Sequence, residues 1–188
     1  MISDPFFFGY GSLVNTKTHD YARTAPATLK DWTRTWEHTS TRELAFLSAK
    51  PAVGTSIEGL IAHVPDDDWT ALDVRETGYQ RTPLAPDLVQ HKTNGDIEIQ
   101  VYHVVDDVDP TQRCPILMSY LDVVVQGFLT VYGEAGVEKF FATTIGWDTI
   151  ILDDRKTPKY PRHQILTPIE RDLVDAHLKT LPAEIKKL

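Results

Sequence analysis

Cysteine is nearly missing from this sequence: Cys114 stands alone among 188 residues. A lone cysteine excludes an intramolecular disulfide and any zinc site built on several thiolates. It precedes Pro115 with no nucleophile motif around it, so it reads as a packing residue. Such usage suits a reducing, cytoplasmic setting. Long apolar runs are also lacking, and none approaches the ~18 residues that a bilayer-spanning helix needs. The first residues show no basic segment followed by an apolar one, and Asp4 and Pro5 interrupt them, so no signal peptide is expected. Positive charge is scarce: 19 Lys and Arg against 27 Asp and Glu leave a formal charge of −8. That balance argues against nucleic acid or an anionic membrane as the main partner, since both select basic patches. The histidines include no His-x-x-x-His pair, which removes the simplest metal motif. Gly9-Tyr10-Gly11 lacks the third glycine of a dinucleotide loop, and no Gly-x-Ser-x-Gly elbow is present. No metal or cofactor is expected.

What is present describes an ordinary folded chain. A hydrophobic content of 41% with 24% charged residues belongs to a soluble globular protein. The length suits one domain over 1–188, with 150–188 expected as a C-terminal loop and helix. The first half alternates as strands do: Pro5 to Tyr10, Leu44 to Ala49 and Ile57 to Val64 are strand-like, and Thr28 to Thr39 carries Trp32 and Trp36. Leu88–Lys92 and Ile97–Val105 flank Asn94-Gly95, a strong hairpin signal. The period then changes. Pro115–Tyr132 and Val137–Ile145 read as helices, and Thr167-Pro168-Ile169-Glu170 opens a last one with a capping box. Sheet first and helices after predicts an α+β fold: a small mixed, antiparallel-rich curved sheet or barrel with packed helices.

Three stretches carry residues suited to chemistry. Phe6-Phe7-Phe8 stops at Gly9-Tyr10-Gly11-Ser12-Leu13, which reads as a buried strand delivering a glycine-bearing loop to a cavity. Glycine permits positive φ and close approach to a ligand, and successive backbone N–H groups form a concave anion site. In the second stretch, Asp66-Asp67-Asp68 starts a helix in which Trp69, Leu72 and Glu76 share one stripe. Trp69 and Leu72 belong in a core, which leaves Glu76 at the edge of the apolar face. A partly desolvated carboxylate there has its proton affinity raised and suits proton transfer; a surface glutamate paired with Arg75 or Arg81 is the plainer reading. Third, Tyr120 near a helix start can point into a cavity, and Gly127 two turns later lets another element approach. Asp153-Asp154-Arg155 and Tyr160-Pro161-Arg162 read as a surface loop, with a substrate-facing flap as the alternative.

Taken in order, these stretches resemble the γ-glutamylcyclotransferase-like family, which includes ChaC-type glutathione-degrading enzymes and the smaller AIG2-like proteins. Tyr10-Gly11-Ser12-Leu13 is similar to the family's loop after the first strand. Leu72-Asp73-Val74-Arg75-Glu76 with Tyr79 and Arg81 is similar to its glutamate segment, and Pro115–Gly127 to its tyrosine-bearing helix. The resemblance implies a cofactor-free cyclotransferase that turns a γ-glutamyl compound, glutathione first among them, into 5-oxoproline and a free amine such as Cys-Gly. It implies Glu76 as the catalytic acid/base, with Tyr10, Gly11, Ser12, Leu13 and Tyr120 binding the small-molecule substrate. The expected protein is a cytoplasmic monomer or homodimer. Three alternatives stand beside this: the same chemistry on a γ-glutamyl amine or amino acid, a non-enzymatic binding module on the same fold, and a serine hydrolase using Ser12.

Overall fold

The triple phenylalanine run forms the middle of the sheet because both of its faces are covered. In β1 (Asp4–Gly9), Phe6 and Phe8 enter the main core while Phe7 enters a smaller one on the opposite face, as the two-residue period of a strand dictates. β1 pairs antiparallel with β3 (Phe46–His63), after β2 (Ala25–Glu37) has paired antiparallel with β3 along most of its length. The computed structural model describes residues 3–40, 42–105, 108–109 and 111–188.

After β3 come α1 (Thr70–Arg75), β4 (Gln80–Pro83), β5 (Val89–His91) and β6 (Ile97–His103). The strand order is β4-β6-β1-β3-β2-β5, and β8 (Thr144–Ile145) adds to β2. Most pairs are antiparallel; β1–β6 and β2–β8 are parallel. The sheet curves strongly. Trp32 on β2 and His103 on β6 stand three strand spacings apart, about 14 Å in a flat sheet, yet their ring centroids are 5.2 Å apart. The curve does not close into a barrel. Across the open seam, the Val104 N–H donates to Ser48 Oγ at 2.9 Å, and the Tyr79 hydroxyl donates to the Leu47 carbonyl at 3.1 Å.

Several sequence expectations need correction. Asn94-Gly95 makes a turn, with Gly95 at φ +102°, but no hairpin, because β5 pairs with β2 while β6 pairs with β1 and β4. Ile99 and Val101 are buried beside Phe6 and Phe8 in the main core, which outweighs the local turn preference. The two strands expected at 44–49 and 57–64 are one. Its middle is exposed, and the register shifts opposite Asp31, whose carboxylate accepts the Gly54 N–H at 2.8 Å.

The helical half follows the expected plan with one addition. β7 (Ile116–Leu117) precedes α2 (Met118–Thr143), which Gly133 (φ 70°, ψ −169°) breaks between the two expected helices. α3 (Pro168–Leu178) has the Thr167–Glu170 capping box. Two strands were not foreseen in 150–188: β9 (Ile150–Asp153) and β10 (Glu184–Lys187) form a parallel sheet with β7 in the order β10-β9-β7. β10 is exposed along its whole length, so it has no apolar alternation to read. Among the described residues no helix is long and apolar enough to cross a membrane.

Candidate functional site

The loop after β1 lies at the open seam, and a buried cation holds it. Arg34 is fully buried on β2. Its Nε donates to the Tyr10 carbonyl at 2.9 Å, Nη2 to the Glu58 carbonyl at 2.7 Å and Nη1 to Thr144 Oγ1 at 3.2 Å. Its guanidinium lies over the rings of Phe128 and Phe140, 5.0 and 4.9 Å from their centroids, a favourable place for a desolvated cation. Burial lowers its pKa to about 9, so it remains charged at neutral pH. Sequence reasoning missed Arg34. The signal was its position between Trp32 and Trp36 on the same strand face, where a charge needs a reason.

Within the loop, the Tyr10 hydroxyl donates to the Tyr102 carbonyl. Ser12 accepts Arg75 Nη2 on its Oγ at 3.3 Å. Gly11 is required for space and not for a left-handed turn: its φ is −127°, and an added Cβ would stand 2.8 Å from Tyr120 Oη. Gly127 lets α2 approach as expected, since a Cβ there would meet Asn15 N at 2.7 Å. The Asn15 amide locks the contact by donating to the Val123 carbonyl and to Gln126 Oε1. Tyr120, Val123 and Gly127 share one helix face, so the same docking places Tyr120 over Gly11.

Glu76 follows the last residue of α1. Its N–H still donates to the Leu72 carbonyl at 2.9 Å, and Gly78 at φ +96° turns the chain away. Pro65–Asp67 forms a 3-10 turn, so α1 begins later than the acidic run, with Asp68 accepting the Thr70 N–H at 3.0 Å. Trp69 and Leu72 are buried in the smaller core, and the Glu76 side chain is 15% exposed. Burial raises its pKa; Arg75 and Arg162 oppose the shift but do not overcome it. Arg75 Nε lies 3.1 Å from Glu76 Oε1. The same guanidinium donates to the Thr18 carbonyl and to Thr18 Oγ1 at 2.9 and 3.0 Å, so Glu76 faces a cation that is itself fixed.

These elements converge. Tyr10, Gly11, Ser12, Leu13, Glu76 and Tyr120 all line one small cavity of about 30 Å³. Beside it lies an outer cavity of about 430 Å³; Leu47, Tyr79 and Tyr120 are walls of both. The segment after β9 reaches this outer space through Tyr160. Asp154 is 1% exposed and accepts the Ser119 N–H at 2.8 Å, the Ser119 hydroxyl at 2.6 Å and the Lys159 N–H at 2.8 Å. Arg155 makes a bidentate pair with Asp122 at 2.8 and 2.7 Å and reaches Asp175 at 2.6 Å. So held, the segment sets Tyr160 edge-on to Tyr120, with ring centroids 5.0 Å apart. Among the described residues, no three His, Cys, Asp or Glu side chains are grouped to hold a metal ion.

A family model described as gamma-glutamyl cyclotransferase, AIG2-like, matches residues 7–120. The chain belongs to this family. The matched stretch runs from Phe7 to Tyr120 and so contains the loop, Glu76 and the tyrosine that covers Gly11. Solved structures agree on the cyclotransferase-like fold. One is a gamma-glutamyl cyclotransferase with a TM-score of 0.58 at 14% identity, covering 91% of this chain and 98% of that one. An uncharacterized protein from Homo sapiens gives 0.57 at 15% identity, covering 90% and 97%. YkqA from Bacillus subtilis gives 0.57 at 14% identity, covering 97% of this chain and 56% of that one. At such identities the likeness is one of fold. No curated protein matches the chain in sequence.

Proposed function

We propose that this protein is a γ-glutamyl cyclotransferase, with glutathione among its substrates, and that Glu76 is its acid/base. The observation that carries the reading is the meeting of a desolvated glutamate with a backbone loop and a tyrosine hydroxyl in one cavity. In the reaction, the α-amine of the γ-glutamyl group attacks its own γ-carbonyl. The new C–N bond closes the five-membered lactam, and the original γ-amide C–N bond breaks. One proton leaves the amine and one joins the departing nitrogen, so no water is consumed. A single carboxylate within reach of both nitrogens performs both transfers. Because nucleophile and electrophile belong to one molecule, the enzyme's task is to hold the ring-closing pose. Backbone N–H groups of Gly11, Ser12 and Leu13 hold the α-carboxylate or the developing oxyanion, and Tyr120, whose hydroxyl lies over Gly11, hydrogen-bonds the glutamyl group.

The serine-hydrolase alternative loses support, since the Ser12 hydroxyl accepts from the Arg75 guanidinium, which is no base. His19 Nε2 is bonded to the Leu13 carbonyl instead. A binding module has no use for a carboxylate kept desolvated at its own cost. The deciding experiment is 5-oxoproline release from glutathione, with an N-acetylated γ-glutamyl compound as the control. Cyclotransfer predicts release from the first and none from the second, because an acetylated nitrogen cannot attack. Comparable cleavage of both compounds would replace the proposal with hydrolysis.

A further inference from the structure

The outer cavity says something about the other half of the substrate. Five aromatic side chains line it, Trp36, Phe46, Tyr79, Tyr120 and Tyr160, and their edge-to-face contacts fix them in place: Phe46 against Tyr79 at 5.0 Å, Trp36 against Tyr120 at 6.0 Å, and Tyr120 against Tyr160 at 5.0 Å. A volume of about 430 Å³ is in the range that encloses a whole drug-sized ligand. The Cys-Gly portion of glutathione has no ring and fills only part of it. Two arginines stand on this wall, and Arg75 is already paired with Glu76. Arg42 lies over the Phe46 ring at 4.6 Å and donates to the carbonyl of Thr77, the residue after Glu76. It takes part in no ion pair among the described residues. Glu43, on the same wall, limits the negative charge that the rim accepts, which favours a single carboxylate.

Resting on the cyclotransferase reading, we infer that the outer cavity is the subsite for the leaving amino acid, and that it selects γ-glutamyl amino acids with an aromatic side chain and one carboxylate. The ring packs among the five aromatic side chains, edge-to-face or offset as such rings prefer. The carboxylate meets the planar guanidinium of Arg42, whose fork matches it. Because Arg42 bonds to Thr77, this contact forms one residue away from Glu76 and sets the leaving nitrogen beside it.

The test compares γ-glutamyl-phenylalanine, γ-glutamyl-alanine and γ-glutamyl-phenethylamine, the last keeping the ring but lacking the carboxylate. Two quantities are measured: kcat/KM for 5-oxoproline release by the full chain, and the Kd of each compound for Glu76→Gln and for the wild type by calorimetry. Since one methylene in an apolar pocket is worth roughly 10–200-fold, the phenylalanine compound is expected to exceed the alanine compound by about 10-fold or more. Tyr160→Ala is expected to shrink that ratio, and Arg42→Gln to shrink the ratio of the phenylalanine compound to the phenethylamine compound. Equal or reversed ranking of phenylalanine and alanine in both measurements would overturn the subsite. An Arg42→Gln protein with its ratio unchanged would overturn the carboxylate contact. If no compound yields 5-oxoproline yet the phenylalanine compound still binds about 10-fold more tightly, the subsite stands and the reaction reading fails. Binding of none overturns both.

Discussion

Glu76 carries a cost in stability for its place in the cavity. An acid whose pKa is raised on folding binds its proton more tightly in the native state than in the unfolded one. The native state is therefore favoured most below the ordinary glutamate pKa, and stability falls as pH rises through the window between the unfolded and folded values. Glu76→Gln is expected to raise Tm at neutral pH, with the gain disappearing in acid, while turnover falls by ~10²-fold or more. Thermal melts across pH and a 5-oxoproline assay check the two halves separately; near-normal turnover would remove Glu76 from the chemistry. The pH profile of kcat/KM should show an acid limb above the ordinary glutamate range, absent in the variant. Arg34 acts at one remove, through the Tyr10 carbonyl. Arg34→Lys keeps the charge but loses the fork that spans Tyr10, Glu58 and Thr144. The expected result is a lower Tm together with a KM that rises more than kcat falls, since what slackens is the loop that binds; unchanged Tm and KM would show that the carbonyl needs no such anchor.

At the scale of elements, the segment from Asp153 to His163 is held by the ion pairs of Arg155 and by the buried carboxylate of Asp154. Asp154→Ala leaves the Ser119 hydroxyl and N–H and the Lys159 N–H without their acceptor, and buried groups so stranded cost about 1–3 kcal/mol each. The variant is expected to lose at least about 2 kcal/mol in denaturant unfolding and to bind γ-glutamyl substrate less tightly, because Tyr160 is no longer held against Tyr120. Wild-type stability would mean the segment is held elsewhere. Nothing local in the sequence marks Asp154: its partner Ser119 is 35 residues away, and both read as ordinary polar residues. The loop at Gly9–Leu13 and the helix that ends just before Glu76 were legible because each is defined within a few residues, by an apolar run that stops and by a stripe at offsets of three and four. The change of period at Pro115 likewise gave the helical half. Long-range pairing was not legible. Asn94-Gly95 specifies a turn, but whether the strands on either side meet depends on where Ile99 and Val101 find their core, and β10 is all exposed and held by backbone pairing that leaves no pattern.

For the whole molecule, the decisive feature is a curved sheet that stops short of closure. At the seam, side-chain hydrogen bonds from Ser48 and Tyr79 stand where a ladder would run, and such places open more readily than paired strands. The loop, Glu76 and Tyr120 gather beside this seam. A bound γ-glutamyl product or inert analogue should therefore act as a missing stave: at 100 times its Kd it adds about 2.7 kcal/mol, a rise of roughly 5–11 °C in a chain of this length. Hydrogen exchange should slow at Leu47, Ser48 and Val104, and change little in the Phe6–Phe8 run that is already sealed on both faces. Protection spread evenly over the chain would place the ligand elsewhere. The same geometry sets a limit on engineering. Strengthening this fold by completing its ladder would fill the space the ligand needs, so the most thermostable version of this architecture should also be an idle one.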